Sequence, residues 1–439
     1  MPYDVVIVGA RPAGAATAML LARAGLRVAA VDRARFPSDT LSTHQVQLPG
    51  VACLARWGLL DAVIASNCPA THGARFDPGP VAFSGHYPLY DGVDAVYSPR
   101  RTVLDTILVD AARAAGAEII EGFDVTDVVA SDDRVTGIRG AERGGVRSAV
   151  DISAPLVIGA DGKHSLVART VIARTYDERP ARSGAVYAYW DGLAIDGGEM
   201  YARPNRAIGA WPTNDGLTIT YIAMPAAEFG AFHADAERSM RETFDMAGDL
   251  GERVRAATRV EHVRATPDVP NAYRQPYGPG WALVGDAGLV MDPITGQGIG
   301  HALCDAQSLS AAVIDGLSGA RPLDEALAAH HAARDARTHA MFDFTTDLAS
   351  FRPKPGGEML FRSIARSQER IDELLAVLSG AVPMAEYFAP GNLARIVGLR
   401  GIASAGRRGI AGAVTAPLRT RRSSRPARPA PTPTIGPGA

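Results

Sequence analysis

The sequence predicts an α/β fold into which a β-rich unit is inserted, and three observations support this. A β-branched run at 5–8, a glycine turn, an Ala- and Leu-rich stretch and a second apolar run ending at Asp32 have the order of a βαβ unit. Two later apolar runs, 156–158 and 281–284, also end at turns that contain an aspartate. Between 183 and 224 short strand-like segments instead alternate with turns, which is typical of an antiparallel sheet.

The first βαβ unit carries most of a dinucleotide-binding fingerprint, G-x-G-x-x-G. Gly9 ends the first strand in a tight turn, and Gly14 lets the following helix pack closely on that strand. Asp32 follows Gly9 by 23 residues, close to the ~20 that separate the first glycine from the ribose-binding acid. Arg11 occupies the middle glycine position, where its guanidinium could pair with a phosphate. The alternative is an ordinary βαβ turn that binds no nucleotide.

Composition excludes several classes of protein. The formal net charge of the 439 residues is −2, so we expect no general affinity for nucleic acid. Cys53, Cys68 and Cys304 fit a reducing compartment and have the spacing of neither a zinc site nor a disulfide framework. The first strand starts near the N-terminus and no apolar run approaches ~18 residues, so we expect a cytoplasmic protein without a transmembrane segment. Its oligomeric state is not predicted.

A polar loop follows the second strand. Prolines interrupt the chain between 33 and 50, and Thr43 and His44 lie where a loop beside the nucleotide site would run. For His44 the alternative is a surface residue that only caps a turn. Later, Arg100 and Arg101 precede a predicted helix, a position that suits an anion site because cations at a helix N-terminus are otherwise unfavourable.

The periodicity of apolar residues predicts the remaining elements of the first half. They are helices at 51–60 and 104–115, irregular strands at 76–97, and two successive strands of one meander at 119–129 and 134–139.

Four aromatic residues lie on the predicted strands of the β-rich segment, with a hairpin turn at 214–216. Together they could line a substrate pocket, although ordinary sheet packing explains each one separately. They are Tyr187, Tyr189, Trp211 and Tyr221.

A glycine-rich helix start follows the apolar run at 281–284. Gly285 and Asp286 end that run, and the glycines at 296, 298 and 300 open a helix that extends to about residue 317. Backbone N–H groups at such a helix start suit an anion.

Two features near the C-terminus are assigned no chemistry. On a predicted helix at 324–348, His331, Asp335 and His339 share one face, and a solvated face is favoured over a metal site because no second cluster supports it. We predict no metal. The region 346–418 is predicted to be helical, and 419–439, with five arginines, many prolines and no acid, is predicted to be disordered.

Three motifs in this order resemble the single-component FAD-dependent aromatic hydroxylase superfamily, whose relatives include geranylgeranyl reductases and flavin-dependent halogenases. They are the fingerprint at 9–32, Ala-Asp-Gly at 160–162, and Gly-Asp with its glycine-rich helix start at 285–300. The resemblance covers roughly 1–345 and implies a Rossmann-like FAD-binding domain with a β-sheet substrate domain. The first would comprise 1–75, 98–180 and 256–345, and the second 76–97 and 181–255.

The resemblance also implies which residues bind FAD. The glycines of the first turn would hold the diphosphate, Asp32 the adenosine ribose and Asp286 the ribityl chain. Asp161 would lie in the turn linked to both FAD and NAD(P)H, and backbone after residue 292 would face the flavin pyrimidine edge, where the helix dipole stabilises anionic reduced flavin. The full set is Gly9, Arg11, Ala13, Gly14, Asp32, Arg33, Arg101, Asp161, Gly285, Asp286, Pro293, Gly296, Gln297 and Gly298.

The implied activity is an NAD(P)H-consuming monooxygenase that inserts oxygen into an aromatic or polycyclic small molecule through a C4a-hydroperoxyflavin. Thr43 and His44 would be the catalytic groups that orient the substrate or the oxygen adduct. The alternative is a reductase of the geranylgeranyl reductase type, which delivers hydride to an alkene. The loop at 35–50 lacks the cysteine that such reductases often carry, which favours the monooxygenase.

Two further alternatives are weaker. A halogenase is disfavoured because the W-x-W-x-I-P signature is absent and the two lysines, Lys163 and Lys354, lie in the nucleotide turn and late in the chain. A flavin-binding protein without turnover would bind FAD and oxidise no NAD(P)H with any ligand.

Overall fold

A computed structural model describes residues 2–144, 148–354 and 356–398, and it confirms the mixed α/β fold class. The predicted disordered tail and the part of the predicted helical region after 398 lie outside these residues. Within the described ranges, no helix combines the length and the hydropathy needed to cross a bilayer.

The strands and helices are numbered in chain order. The strands are β1 (Val5–Val8), β2 (Val28–Asp32), β3 (Gly73–Asp77), β4 (Phe83–His86), β5 (Glu118–Glu121), β6 (Phe123–Ser131), β7 (Arg134–Glu142), β8 (Val150–Ser153), β9 (Leu156–Gly159), β10 (Thr175–Arg179), β11 (Ser183–Asp191), β12 (Gly198–Arg203), β13 (Arg206–Pro212), β14 (Thr218–Pro225), β15 (Thr258–Arg259), β16 (Arg264–Thr266), β17 (Asn271–Arg274), β18 (Tyr277–Gly278), β19 (Trp281–Leu283) and β20 (Leu289–Val290). The helices are α1 (Pro12–Arg23), α2 (Leu48–Arg56), α3 (Leu60–Ala65), α4 (Arg101–Ala114), α5 (Leu166–Thr170), α6 (Ala226–Ala234), α7 (Ala236–Asp245), α8 (Leu250–Ala256), α9 (Gly298–Leu317), α10 (Leu323–Leu348), α11 (Gly357–Ile364), α12 (Gln368–Leu378) and α13 (Met384–Tyr387).

A six-stranded sheet forms the centre of the molecule, in the order β18-β19-β9-β1-β2-β5. All neighbouring pairs are parallel except β18 with β19. Helices α1, α4 and α9 cover one face, and the small sheet β6-β7-β8 covers the other. Because both faces are buried, strands such as β1 are continuous apolar runs rather than alternating ones.

The second sheet has eight strands, in the order β15-β11-β14-β13-β12-β3-β4, with β16 also pairing with β11. Successive side chains of a strand point to opposite faces. One face therefore packs Val186, Ile222 and their neighbours against α6, α7 and α8, and the other face carries the predicted aromatic residues. Helices α11, α12 and α13 pack beside β4 at the far edge of this sheet.

Three predicted elements are wrong in their boundaries. The strand predicted at 119–129 is two strands in different sheets, β5 and β6, because Gly122, with φ +69°, turns the chain between them. The helix predicted at 51–60 is α2 followed by α3, separated by a turn at Gly58. Arg101 does not precede its helix but is the first residue of α4.

Candidate active site

Four strand ends meet at one edge of the central sheet. Strands β1, β2, β9 and β19 are parallel, so their carboxyl ends lie side by side, and the strand order reverses between β1 and β9. Ligands of open α/β sheets bind in the crevice at such a reversal. The turns at these ends contain Gly9, Asp32, Asp161 and Asp286. The fold therefore brings the three sequence motifs together at one place, which we call the cofactor edge.

The turn after β1 leaves the N-terminus of α1 open. Gly9 has φ +100°, and a Cβ on Gly14 would lie 1.8 Å from the Gly9 oxygen, so both positions require glycine. Arg11 has extended backbone angles (φ −81°, ψ −170°), so it replaces the usual glycine without strain. In the described structure no side chain caps this helix, and its first turn, which includes the buried Ala13, has no acid. Its free N–H groups are therefore available to a phosphate.

Arg11 and Arg101 share one buried carboxylate. Arg11 Nη1 donates to Asp105 Oδ2 at 2.7 Å, and Arg101 donates from Nε and Nη2 to the two oxygens of Asp105 at 2.8 and 2.9 Å. Two guanidiniums and one carboxylate leave a net positive charge beside the start of α1, where a diphosphate would be attracted. Sequence reasoning missed Asp105, although its four-residue spacing from Arg101 on a helix was a signal.

Asp32 holds the backbone of the cofactor edge. Its Oδ2 accepts from Ala10 N at 2.7 Å and its Oδ1 from Ala34 N at 2.8 Å, and the next residue, Arg33, is exposed. A carboxylate has about four acceptor sites, so two remain for other donors such as hydroxyl groups.

Asp161 and Asp286 have different environments. Asp161 accepts from Ser165 Oγ at 2.5 Å and from Leu166 N at 2.6 Å, so it stabilises the start of α5. The Asp286 side chain is exposed and its carboxylate forms no hydrogen bond within the described residues, and desolvation by the surrounding turns raises its pKa. Asp286, next to the buried Gly285, thus has all the acceptor sites of its carboxylate available to a ligand.

Arg274 joins the turns that contain these two aspartates. Its Nη1 donates to the Ala287 oxygen at 2.9 Å, and its Nη2 donates to the Lys163 oxygen at 3.0 Å. Sequence reasoning missed this residue because nothing local to β17 indicates which turns it reaches.

The segment from 292 to 298 leads into α9. Asp292 is fully buried, accepts from Ser183 Oγ and from Ile294 N, and so caps a 3₁₀ turn at Pro293–Thr295. Gly296 follows with φ +64°, and Gln297 Nε2 donates to the Leu378 oxygen at 2.9 Å. Nothing lies within 4 Å of where a Cβ on Gly298 would stand, and no acid or capping side chain occupies the first turn of α9 in the described structure. This helix start is therefore open to an electron-rich ligand.

Four aromatic side chains share one face of the second sheet, which we call the aromatic face. Tyr187 is paired with Tyr221 across β11 and β14, with ring centroids 5.2 Å apart, and Tyr189 and Trp211 lie on the same face one pair further along. Leu41, Ile294 and Phe351 pack against this cluster. The face is thus enclosed by the polar loop after β2 and by the segment that leads into α9.

Thr43 and His44 are attached to the aromatic face. Trp211 Nε1 donates to the Thr43 oxygen at 2.9 Å, and His44 Nε2 is hydrogen-bonded to the Tyr189 hydroxyl. His44 adopts φ +61°, which is uncommon for a residue other than glycine, and its side chain is fully buried. The two predicted catalytic residues and the predicted pocket residues are therefore in contact.

The charge state of His44 is set by its surroundings. Burial lowers its pKa well below the usual value, and the nearby Arg101, Arg100 and Arg264 lower it further. The imidazole is thus neutral at pH 7. Its Nδ1 has no hydrogen-bond partner among the described residues, and the same holds for the buried Tyr221 hydroxyl.

The helix face at 331–339 is not assembled as one cluster. His331 Nε2 lies 3.4 Å from Asp335 Oδ2, whereas His339 lies 3.6 Å from Asp177.

The fold and the cofactor edge define a dinucleotide-binding protein, and comparison with known proteins makes it a FAD-dependent oxidoreductase. A family model described as "FAD binding domain" matches residues 2–345. The chain belongs to this family.

Curated relatives differ in reaction. A 1H-pyrrole-2-carbonyl-[peptidyl-carrier protein] chlorinase of Pseudomonas fluorescens is 24% identical over 71% of this chain and 76% of its own length. A menaquinone reductase of Mycolicibacterium smegmatis is 28% identical over 68% and 73% of the two chains. A 6-methylpretetramide 4-monooxygenase of Streptomyces rimosus is 27% identical over 72% and 76%.

A solved structure shares the fold. The flavin-dependent brominase Bmp2 superposes with a TM-score of 0.75 over 90% of this chain and 97% of its own, at 17% identity.

Proposed function

We propose that this FAD-dependent oxidoreductase is an NAD(P)H-consuming monooxygenase that inserts oxygen into an aromatic or polycyclic small molecule. The observation that carries the proposal is the attachment of the loop with Thr43 and His44 to the aromatic face, which joins a neutral, buried imidazole to an apolar wall. Bound FAD would supply the redox chemistry, because it can take electrons from NAD(P)H and pass them to oxygen.

The residues of the cofactor edge fit FAD. The open start of α1 and the positive charge shared by Arg11 and Arg101 suit the diphosphate, and Asp286 and Asp32 offer acceptors to hydroxyl groups. The open start of α9, from Pro293 to Gly298, would face the flavin. Gly9, Ala13 and Gly14 allow the close approach, Arg33 extends from the ribose end, and the Asp161 turn is the proposed site of NAD(P)H contact.

The chain's own contribution is to hold the substrate and exclude water. The four aromatic side chains are buried beneath Leu41, Ile294 and Phe351, and a substrate ring system would stack on them by entering between the aromatic face and this cover. The unpartnered His44 Nδ1 and Tyr221 hydroxyl are buried polar atoms that a substrate hydroxyl or carbonyl would satisfy. A neutral imidazole can accept or donate a hydrogen bond there at pH 7.

A hydride-delivering reductase is the second candidate, and the menaquinone reductase similarity favours it. Against it, the loop at 35–50 has no cysteine. Cys53 and Cys304 instead lie between α2 and α9 with their sulfurs 3.9 Å apart. Halogenation is not proposed although halogenases are among the relatives, because the W-x-W-x-I-P signature is absent and the two lysines lie in the nucleotide turn and late in the chain. There Lys163 pairs with Asp268 and Lys354 with Asp347.

The test measures NADH and NADPH oxidation, oxygen uptake and product mass across polycyclic phenols and polyenes. A monooxygenase consumes oxygen with substrate and yields a product heavier by one oxygen atom. Saturation of an alkene under anaerobic conditions would assign the reductase instead. Absence of turnover with every ligand would assign a flavin-binding protein.

Variants then test His44. His44→Ala should retain FAD but release hydrogen peroxide in place of product, with a loss of about 10²–10⁴ in the rate of product formation. The exposed His72 provides the control, and His72→Ala should behave as the wild type. Unchanged product per NAD(P)H in His44→Ala would remove His44 from the mechanism.

A further inference from the structure

The guanidinium of Arg11 reaches beyond Asp105 to the loop after β2. Its Nη1 donates to the Ser38 oxygen at 3.3 Å as well as to Asp105, and its Nη2 donates to Ser38 Oγ at 3.1 Å. The ring of Phe36 lies 5.8 Å from the guanidinium carbon. One side chain thus connects the start of α1, the loop and α4.

Ser38 is the first residue of the segment 38–47, which we call the active-site loop. The middle of this loop is held by the contacts of Thr43 with Trp211 and of His44 with Tyr189. The loop is also held by an ion pair of Asp39 with Arg264 and by backbone pairing of Val46 with Tyr97. Ser38 is the anchor at the start of the loop, and it fastens that start to the cofactor edge rather than to the aromatic face. Within the described structure, Arg11 supplies both side-chain hydrogen bonds to Ser38.

The geometry points to a second role for Arg11. We propose that Arg11 is a positioning residue that fixes the start of the active-site loop relative to the FAD diphosphate site, and thereby sets where His44 lies. The active role of the loop rests on the proposed function, whereas the anchor itself does not. A glycine at this position, as in the usual fingerprint, has no side chain with which to form the anchor.

Only arginine fits this role. Its planar fork directs donors at Asp105 and at two atoms of Ser38 at the same time. A lysine carries the same charge on one nitrogen and cannot reach all three acceptors in this geometry. Arg11→Lys therefore keeps the positive charge of this side chain but removes the anchor at Ser38.

The experiment is hydrogen–deuterium exchange of the FAD-loaded full-length protein, combined with FAD affinity. In Arg11→Gln, amides in peptides spanning 38–47 should exchange about tenfold faster, because both hydrogen bonds of Arg11 to Ser38 are lost. In Arg11→Lys, FAD affinity should stay within about threefold of the wild type while the loop still exchanges fast. Arg35→Gln, which removes an exposed arginine of the preceding segment, is the control and should leave loop exchange unchanged.

A second pair of variants locates the contact. Ser38→Ala leaves the pair of Arg11 with Asp105 intact and should speed loop exchange about threefold. This variant also tests the proposal if Arg11→Gln does not fold. The double variant that combines Arg11→Gln with Ser38→Ala should exchange no faster than Arg11→Gln alone, because both changes remove the same anchor. Wild-type loop exchange in Arg11→Gln or Ser38→Ala, or restoration of slow exchange by Arg11→Lys, would overturn the proposal. Exchange needs no turnover, so this result stands apart from the outcome of the activity test.

Discussion

At the cofactor edge, short backbone turns place the groups that would bind FAD. On the aromatic face, by contrast, four side chains from three strands form one wall of the proposed substrate site. Each turn is formed by residues close together in the chain. Gly9 and Gly14 belong to one helix start, and Asp161 accepts hydrogen bonds from residues four and five positions further on. The contacts of the aromatic face are distant, since Thr43 and Trp211 are 168 residues apart in sequence. The groups that would bind FAD are therefore placed by residues close together in the chain, whereas the aromatic face depends on contacts between distant residues.

Asp105 is the exception at the cofactor edge, because it is a buried side chain on which two arginines depend. Asp105→Ala should lower the free energy of unfolding by about 3–5 kcal/mol, since it leaves buried guanidinium charge without a partner. Urea denaturation measures this. Asp110→Ala changes an exposed acid of the same helix and should stay within about 0.5 kcal/mol of the wild type. A loss below about 1 kcal/mol in Asp105→Ala would show that the edge relies on its turns alone.

Asp292 lies between the cofactor edge and the aromatic face, and protonation of its carboxyl makes the free energy of unfolding depend on pH. Burial raises the pKa of Asp292 to about 6, so the folded state holds this proton more tightly than the unfolded chain. The contribution of Asp292 to stability is thus present below about pH 4 and is lost as the pH rises through about 6, by up to roughly 3 kcal/mol. Asp292→Asn should remove this dependence in urea denaturation at several pH values.

Ser183 provides the companion variant for this measurement. Its hydroxyl donates to Asp292 and lowers the pKa of that carboxyl, so Ser183→Ala should move the transition to higher pH. If the free energies of unfolding of the wild type and of Asp292→Asn differ by the same amount at every pH, the raised pKa of Asp292 is contradicted.

At the cofactor edge itself, Asp286→Ala should weaken FAD binding about 10- to 100-fold, because a charged acceptor for ribityl hydroxyls is lost. Desolvation raises the pKa of this carboxyl, so its removal should not destabilise the FAD-free protein. Asp315→Ala, at the far end of α9, is the control for FAD affinity. Unchanged FAD affinity in Asp286→Ala would mean that the Gly-Asp motif is wrongly assigned.

The sequence predicted the features that depend on residues close together in the chain. The fold class and the order of the three motifs follow from local patterns, and their meeting at the cofactor edge follows from the rule that parallel strand ends share an edge. The contacts of Thr43 with Trp211 and of His44 with Tyr189 join residues that are 168 and 145 positions apart, and the sequence did not predict them. The roles assigned to these residues stay predictions. The strand at 119–129 failed because its apolar run continues through the bend at Gly122.

Tertiary contacts account for the rest. Arg274 lies more than 100 residues from Lys163, and no pattern within β17 indicates that it joins two turns. Arg11 was interpreted from its position in the fingerprint, and its contact with Ser38 depends on how the loop after β2 folds back. Both contacts arise only when separate elements pack together.

The smallest expected effect concerns single hydroxyl groups on the aromatic face, where Tyr189 and Tyr221 form a matched pair. Tyr189→Phe removes the partner of His44 Nε2 and should lower the free energy of unfolding by about 1–2 kcal/mol, because it leaves a buried imidazole nitrogen unpaired. Tyr221→Phe removes a buried hydroxyl that has no partner among the described residues, so stability should stay the same or rise. Thermal and urea unfolding measure both. If Tyr221 is instead there to meet a substrate, Tyr221→Phe should weaken the binding of hydroxyl- or carbonyl-bearing ring compounds without a loss of stability. Equal destabilisation by the two variants would show that the aromatic face is held together as an ordinary core.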